Sequence, residues 1–250
     1  MNRIAVISDI HSNLHALEAV WKRTKEIGVD AIYCLGDIVG YGARPVECLQ
    51  IIRENDIASV QGNHDALVAD GSQSLDFNIY SLAAVEHNRD LLDAESLQWL
   101  ADLPTSRNLA GAAKDTMCAG KFVHGAPDDR DRYLIYLDDL QEASETLKKA
   151  EGAGVCFFGH THHPVIFDGH QFERARVGTY PLKSGERNLV NPGSVGQPRD
   201  SDPRASFLWW DRVAHEINFE RVEYDIEASR KEIFDADLPR ILGDRLLEGR

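Results

Sequence analysis

The sequence predicts an α/β fold in which two mixed β-sheets pack face to face with helices on their outer sides. Short runs rich in Val and Ile alternate with longer amphipathic stretches through the first part of the chain, which is the pattern of βαβ units. From Val165 onward the pattern changes to strand after strand, with turn residues such as Asp168-Gly169 between them. No internal repeat, low-complexity tract or linker divides the 250 residues. The two halves are therefore expected in one domain spanning 1–250, as two sheets sharing a core.

Each element has its own signal. Residues 3–7 read as a buried strand, and Leu14, Leu17, Val20 and Trp21 recur at helical spacing, so a helix is expected over 13–27 with Gly28 ending it. Residues 31–35 give a second strand, 46–53 a helix and 57–60 a third strand that runs into a Gly-Asn turn. Leu82, Val85, Leu91, Leu92, Leu97 and Leu100 place a helical segment over 79–102, closed by Pro104, and a helical cap is expected at about 66–104. Strands follow at 121–123 and 155–158 around a helix near 139–150, then at 164–168, 172–178, 187–190, 205–210 and 213–222. The tail from Asp225 is helical, with Ile226, Ile233, Leu238, Ile241 and Leu246 on one side and an interruption at Pro239.

Composition narrows the function. A formal net charge of −14 argues against binding polymeric nucleic acid or an anionic membrane, since both need a positive field, and no Lys/Arg stripe with interleaved aromatics is present. An acidic protein can still hold a small phosphate if metal ions supply the positive charge inside a cleft. No stretch approaches the roughly 20 apolar residues of a membrane helix, and no signal peptide is expected. Cys34, Cys48, Cys118 and Cys156 lack C-x-x-C spacing and fit reduced thiols in a cytoplasm.

The chemistry-bearing residues fall at one kind of place. Asp9 and His11 follow the first strand, Asp37 the second, Asn63 and His64 the third, His124 the run Phe122-Val123, and His160 and His162 the run Cys156-Phe157-Phe158. A lone Asp or His after a strand is usually a cap or turn residue. Here the pattern holds at five strand ends, and the carboxyl ends of strands in an α/β sheet converge on one crevice. Ligands at i and i+2, as in Asp9-x-His11 and His160-x-His162, can aim at one small volume. Asp, His and an Asn carbonyl together suit Mn, Fe or Zn, whereas carboxylates alone would point to Mg or Ca. Without a thiolate a closed structural zinc site is not expected.

These residues resemble the calcineurin-like metallophosphoesterase superfamily. The resemblance rests on Asp9-Ile10-His11, Gly36-Asp37-Ile38-Val39-Gly40, Gly62-Asn63-His64-Asp65, Val123-His124-Gly125 and Gly159-His160-Thr161-His162, in that order, and runs from residue 4 to about 198. Gly40 stands where many relatives have a second Asp. The run Gly36–Gly42 and the run Asn191–Arg199 are instead similar to a bacterial branch of phosphodiesterases and diadenosine tetraphosphatase-like proteins.

The resemblance implies a four-layer αββα sandwich and two divalent transition-metal ions, Mn first, with Fe or Zn as alternatives. Asp9, His11 and His162 would hold one ion and Asn63, His124 and His160 the other, with Asp37 bridging through one oxygen to each. A bridging hydroxide would be the nucleophile on a small phosphate mono- or diester. His64, left off the metals, would protonate the leaving group, with Asp65 orienting its ring and raising its pKa. Arg44 and Arg199 are candidates for contacting the substrate phosphate, although an Arg near a cleft is more often in a surface ion pair. His15, His87, His163, His170 and His215 read as core or surface histidines, and Trp209-Trp210 as packing. The alternative is a catalytically idle scaffold of the same fold that binds a protein partner; it should have lost ligands or the acid histidine, and here all are filled.

Overall fold

The computed structural model describes residues 1–72, 77–111, 116–149 and 153–250. Strand β1 (Arg3–Ile7) is flanked by two neighbours: β2 (Ala31–Cys34) runs parallel to it with Val6 opposite Tyr33, and β11 (Ala205–Asp211) runs antiparallel with Val6 opposite Leu208. Adding β3 (Ala58–Ser59), β12 (Glu216–Val222) and β9 (Gly178–Pro181) completes a six-stranded sheet of order β3-β2-β1-β11-β12-β9. The second sheet, also six-stranded, has the order β4-β5-β6-β10-β7-β8. Its strands are β4 (Ser106–Leu109), β5 (Gly120–Val123), β6 (Val155–Phe157), β10 (Asn188–Pro192), β7 (Pro164–Phe167) and β8 (Phe172–Arg174). Both sheets mix parallel and antiparallel pairs.

Alternation along the strands builds the layers. Ile4 and Val6 of β1 and Leu208 and Trp210 of β11 meet Phe122, Phe157 and Val190 of the other sheet in a buried cluster between the two. Ala5, Ile7, Ala205 and Phe207 point the opposite way, onto Leu17 and Val20 of α1 (Leu14–Ile27) and Leu49 and Ile52 of α2 (Pro45–Glu54). Cys156, Phe158 and Leu189 point to the far side of the second sheet, onto Leu140, Ala143 and Leu147 of α6 (Leu137–Lys149). The order of layers is thus helix, sheet, sheet, helix. Trp210 is in the buried core, as expected of packing, while Trp209 lies partly exposed beneath the Arg3 guanidinium.

Several elements differ from the sequence expectation. The segment 79–102 is two helices, α4 (Ile79–Leu91) and α5 (Ala94–Ala101), because the Asp93 carboxylate accepts from the Ser96 N–H at 2.8 Å and starts a new helix. Helix α3 (Asn63–Asp70) starts directly at the Gly-Asn turn. The expected strand 172–178 is divided between β8 and β9, which belong to different sheets. The expected strand 213–222 starts only at Glu216, since the Asp211 carboxylate accepts from the N–H groups of Val213 and Ala214 and folds the chain into a turn. Strand β4 was not expected, because Ser-Arg-Asn-Leu carries no apolar alternation; its partner β5 supplies the pairing. The tail forms α7 (Ile226–Asp235) and α8 (Arg240–Glu248), separated at Pro239 as anticipated. Residues 73–76 of the expected cap and residue 150 at the end of an expected helix lie outside the described residues.

Candidate metal centre

The seven candidate ligands and His64 follow the carboxyl ends of β1, β2, β3, β5 and β6, in loops or in the first turn of α3, and the two sheets bring them together. His11 Nε2 lies 3.1 Å from His162 Nε2, and Asp9 Oδ1 lies 3.4 Å from the same nitrogen. His124 Nε2 lies 3.1 Å from His160 Nδ1 and 3.0 Å from Asn63 Oδ1. Asp37 Oδ2 sits between the two groups, 3.6 Å from His11 Nε2 and 3.4 Å from His124 Nε2. Asp9, His11, Asp37, His124, His160 and His162 are buried, and Asn63 is half-buried.

The hydrogen bonds on the far side of each ring decide what the near side can do. His11 Nδ1 meets Val39 O at 3.1 Å, His124 Nδ1 meets Leu35 O at 2.8 Å, His162 Nδ1 meets Gln197 O at 2.6 Å, and His160 Nε2 meets Asp131 O at 3.1 Å. A carbonyl can only accept, so each of these nitrogens carries a proton, and whenever the ring is neutral its other nitrogen presents a lone pair. The structure therefore sets two pairs of lone-pair nitrogens face to face at 3.1 Å, each beside a carboxylate or amide oxygen. Acceptors can meet so closely only around positive charge, a proton or a cation. The three groups Asp9/His11/His162, His11/Asp37/His64 and Asp37/His124/His160 each bring potential ligand atoms within 4.8 Å of one another. This donor set fits a divalent metal.

A family model described as the calcineurin-like phosphoesterase superfamily domain matches residues 2–212, a span that contains every one of these side chains. The chain belongs to the calcineurin-like phosphoesterase superfamily. It is 40% identical over 254 aligned residues to the uncharacterized protein MJ0912 of Methanocaldococcus jannaschii, covering 99% of this chain and 98% of that one. A metallophosphoesterase from Sphaerobacter thermophilus has a similar structure, with 37% identity, a TM-score of 0.83 and 99% of each chain covered. The hypothetical protein PH1004 from Pyrococcus horikoshii shares the fold at 22% identity and a TM-score of 0.81, over 100% of this chain and 99% of that one. As a member of a superfamily of metal-dependent phosphoesterases, the chain is a phosphoric ester hydrolase, and no helix among its described residues is long and apolar enough to cross a membrane.

Electrostatics in this phosphoesterase site follow from burial and close charges. Burial opposes charge on Asp37, yet the fields of His124, His64 and His11 outweigh it and hold the carboxyl well below its usual range. Burial likewise opposes a charged His124, but Asp37 beside it brings the ring up to about 9. Asp9 is raised to about 7, chiefly by burial. Burial also keeps His11 and His162 well below the ordinary histidine value and His160 down to about 3, so these rings are neutral and ready to ligate.

Several expectations are corrected by the geometry. Asp37 turns one oxygen, not two, toward the histidine pairs, because its Oδ1 accepts the His64 backbone N–H at 2.9 Å. Asp65 does not orient the His64 ring: its Oδ1 accepts from the N–H groups of Ile38 and Val39, and its Oδ2 from Gly62, so it fastens the loop after β2 to the start of α3. Nor is the His64 ring raised. It is held down to about 4, first by burial, and its Nδ1 has no hydrogen-bond partner among the described residues. Aromatic packing positions it instead, with ring centroids 4.8 Å from His11, 4.5 Å from Tyr41 and 4.7 Å from Phe77. Gly40 (φ +98°) makes room for this, since a Cβ there would collide with the ring. Arg44 is held by Glu47 at 2.8 Å and Glu232 at 2.6 Å. The Arg199 guanidinium faces no carboxylate among the described residues, and its charge lowers Asp9, His11, His64 and His162.

Sequence reasoning missed the residues that hold the loops. Asn88, buried in α4, donates to Gly42 O at 2.9 Å and accepts from Gly40 N at 2.7 Å and from Ser12 Oγ at 2.5 Å, which ties the loops after β1 and β2 together. Its only signal was an amide side chain on the helix face that also carries Ser81, Ala84 and Val85. Ser194 Oγ donates to Asp9 O at 2.8 Å, and Asn191 Nδ2 donates to Gly159 O at 2.8 Å, which gives the Asn191–Arg199 run a positioning task. A cleft of about 650 Å³ opens beside the second group, lined by Asn63, Phe77, Arg130, Tyr133 and His160 among others. Tyr133 stacks on the His160 ring, with centroids 3.7 Å apart.

Proposed function

We propose that the protein hydrolyses a small phosphate mono- or diester at a centre of two divalent transition-metal ions, with Mn the first choice and Fe or Zn the alternatives. The observation that carries this reading is the pair of lone-pair clusters, each with its histidine protons locked on backbone carbonyls, sharing one oxygen of Asp37. Asp9, His11 and His162 would hold one ion, Asn63, His124 and His160 the other, and Asp37 both. When bound, the ions would supply a water acidified toward hydroxide and positive charge for the phosphoryl oxygens.

The chain's own residues do the rest. His64, neutral at pH 7 because of its burial, would stabilise the oxygen of the departing group by a ring N–H hydrogen bond, and the proton that this oxygen finally takes would come from solvent. Arg199 adds a positive field at the edge of the site, where it can attract a phosphate-bearing substrate, whereas Arg44 is engaged elsewhere. The chain works as one domain, with the helices of 63–101 covering the cleft as a cap and setting, with the loop around Tyr133, which ester enters. The net charge of −14 favours small substrates over polymers. The scaffold alternative loses ground because every candidate ligand position and His64 are filled.

The test is turnover of 4-nitrophenyl phosphate and bis(4-nitrophenyl) phosphate by the Mn-loaded protein. Wild type is expected to hydrolyse at least one. His64→Ala should keep its metal and lose about 100- to 10,000-fold in kcat, whereas Asp37→Ala should lose metal as well. A fully loaded wild type with no turnover, or His64→Ala with full turnover, would overturn the reading.

A further inference from the structure

Two arginines stand over one tyrosine at the rim of the site. The guanidinium carbon of Arg199 is 5.7 Å from the Tyr41 ring centroid and that of Arg245, from α8, is 5.9 Å from the same centroid. The Tyr41 ring in turn packs 4.6 Å from His11 and 4.5 Å from His64. Neither arginine faces a carboxylate side chain among the described residues. Arg199 Nη2 reaches Gln197 Oε1 at 3.0 Å and Tyr41 Oη at 3.4 Å, its Nε is buried without an acceptor, and Arg245 Nε donates to Arg250 O at 2.5 Å.

The acids in this region pair with other cations, although Asp200 Oδ1 is buried without a hydrogen-bond partner among the described residues. Glu232 holds Arg44, Asp200 holds Arg221, Asp244 holds Arg230 and Glu248 pairs with Arg250. Both arginines are half-buried, and Arg245 is lowered first by burial and then by the like charge of Arg199. In a chain with 41 acidic and 27 basic residues, two cations over one ring, neither paired with a carboxylate side chain among the described residues, favour an anion beside them, and guanidinium forks match phosphate oxygens.

We propose that Arg199 and Arg245, held over Tyr41, form a subsite for a second phosphate group on the substrate, so that the ester cleaved here carries a phosphate beyond the scissile one. This rests on the hydrolase reading for the identity of the first site. It assigns α8 a task in selectivity that lies outside the residues matched by the superfamily domain.

The experiment measures binding by calorimetry to the Mn-loaded protein, using inert phosphonates so that no turnover is needed. Alkane-α,ω-bisphosphonates with three to six carbons are compared with the matching alkylphosphonates and with ω-carboxyalkylphosphonates. Wild type should bind the best bisphosphonate at least about tenfold more tightly than its single-phosphonate match. Arg245→Gln should remove most of that preference and Arg245→Lys should restore part of it. An equal preference in wild type and Arg245→Gln, or none in wild type, overturns the subsite, and a preference for the carboxylate series overturns the assignment to phosphate. Turnover of 4-nitrophenyl esters by the same wild-type sample separates the two claims. Turnover without preference removes the subsite alone, and preference without turnover removes the hydrolase reading alone.

Discussion

Asp9, His11, Asp37, His160 and His162 all have φ between 48° and 68°, in the left-handed region that favours glycine and costs other residues about 1–2 kcal/mol each. Such strain persists where the surroundings force it, and here it turns side chains of neighbouring positions toward one point. His160→Gly should therefore unfold at higher denaturant than His160→Ala in the metal-free protein, by about 1 kcal/mol; the reverse order would contradict the strain. Titration gives a second test at this scale. Ligands bind metal only when deprotonated, and His124 is raised to about 9 and Asp9 to about 7, so the metal-free site holds protons at neutral pH that a cation must displace. Affinity for Mn should rise as pH climbs through about 7 to 9, with proton release visible by calorimetry in two buffers of different ionisation enthalpy. Flat or falling affinity would contradict it. The clustered Asp and His residues were legible in the sequence because strand ends are; the left-handed backbone, the tautomers and the actual partner of Asp65 were not, since each depends on carbonyls and N–H groups from other loops.

At the scale of elements, α4 matters to the site through one side chain. Replacing Asn88 with Ala would leave the Gly40 N–H, the Gly42 carbonyl and the Ser12 hydroxyl without a partner in the interior. That should lower stability by about 2–4 kcal/mol in a denaturant titration and reduce turnover as well; a loss under about 0.5 kcal/mol would show that the loops hold themselves. Elements such as β1, α1, β7 and β11 could be read in advance because the apolar pattern that buries them lies within the segment. The break between α4 and α5 was hidden because the leucines continue across Leu91, Leu92 and Leu97 while a single carboxylate, Asp93, restarts the helix. The division of 172–178 between two sheets was hidden for a different reason: which sheet a short strand joins is decided by partners distant in sequence, β7 for one part and β12 for the other.

For the molecule as a whole, the site is a product of the sheet-to-sheet packing. Asp9, His11 and Asp37 from loops, and Asn63 from the start of α3, lie on the β1-β2-β3 sheet, and His124, His160 and His162 come from loops of the β5-β6 sheet, so a cation at either cluster would join the two halves. Chelation should consequently lower the melting temperature, since ligand held at a thousand times its Kd stabilises by about 4 kcal/mol; an unchanged melting temperature after complete metal removal would contradict that link. The most direct measurement is anomalous diffraction from crystals of the Mn-loaded protein. Two anomalous peaks per chain are expected, one between His11 and His162 and one between His124 and His160, each in contact with the same Asp37 oxygen. No peak at these positions, or metal bound only elsewhere, would contradict it.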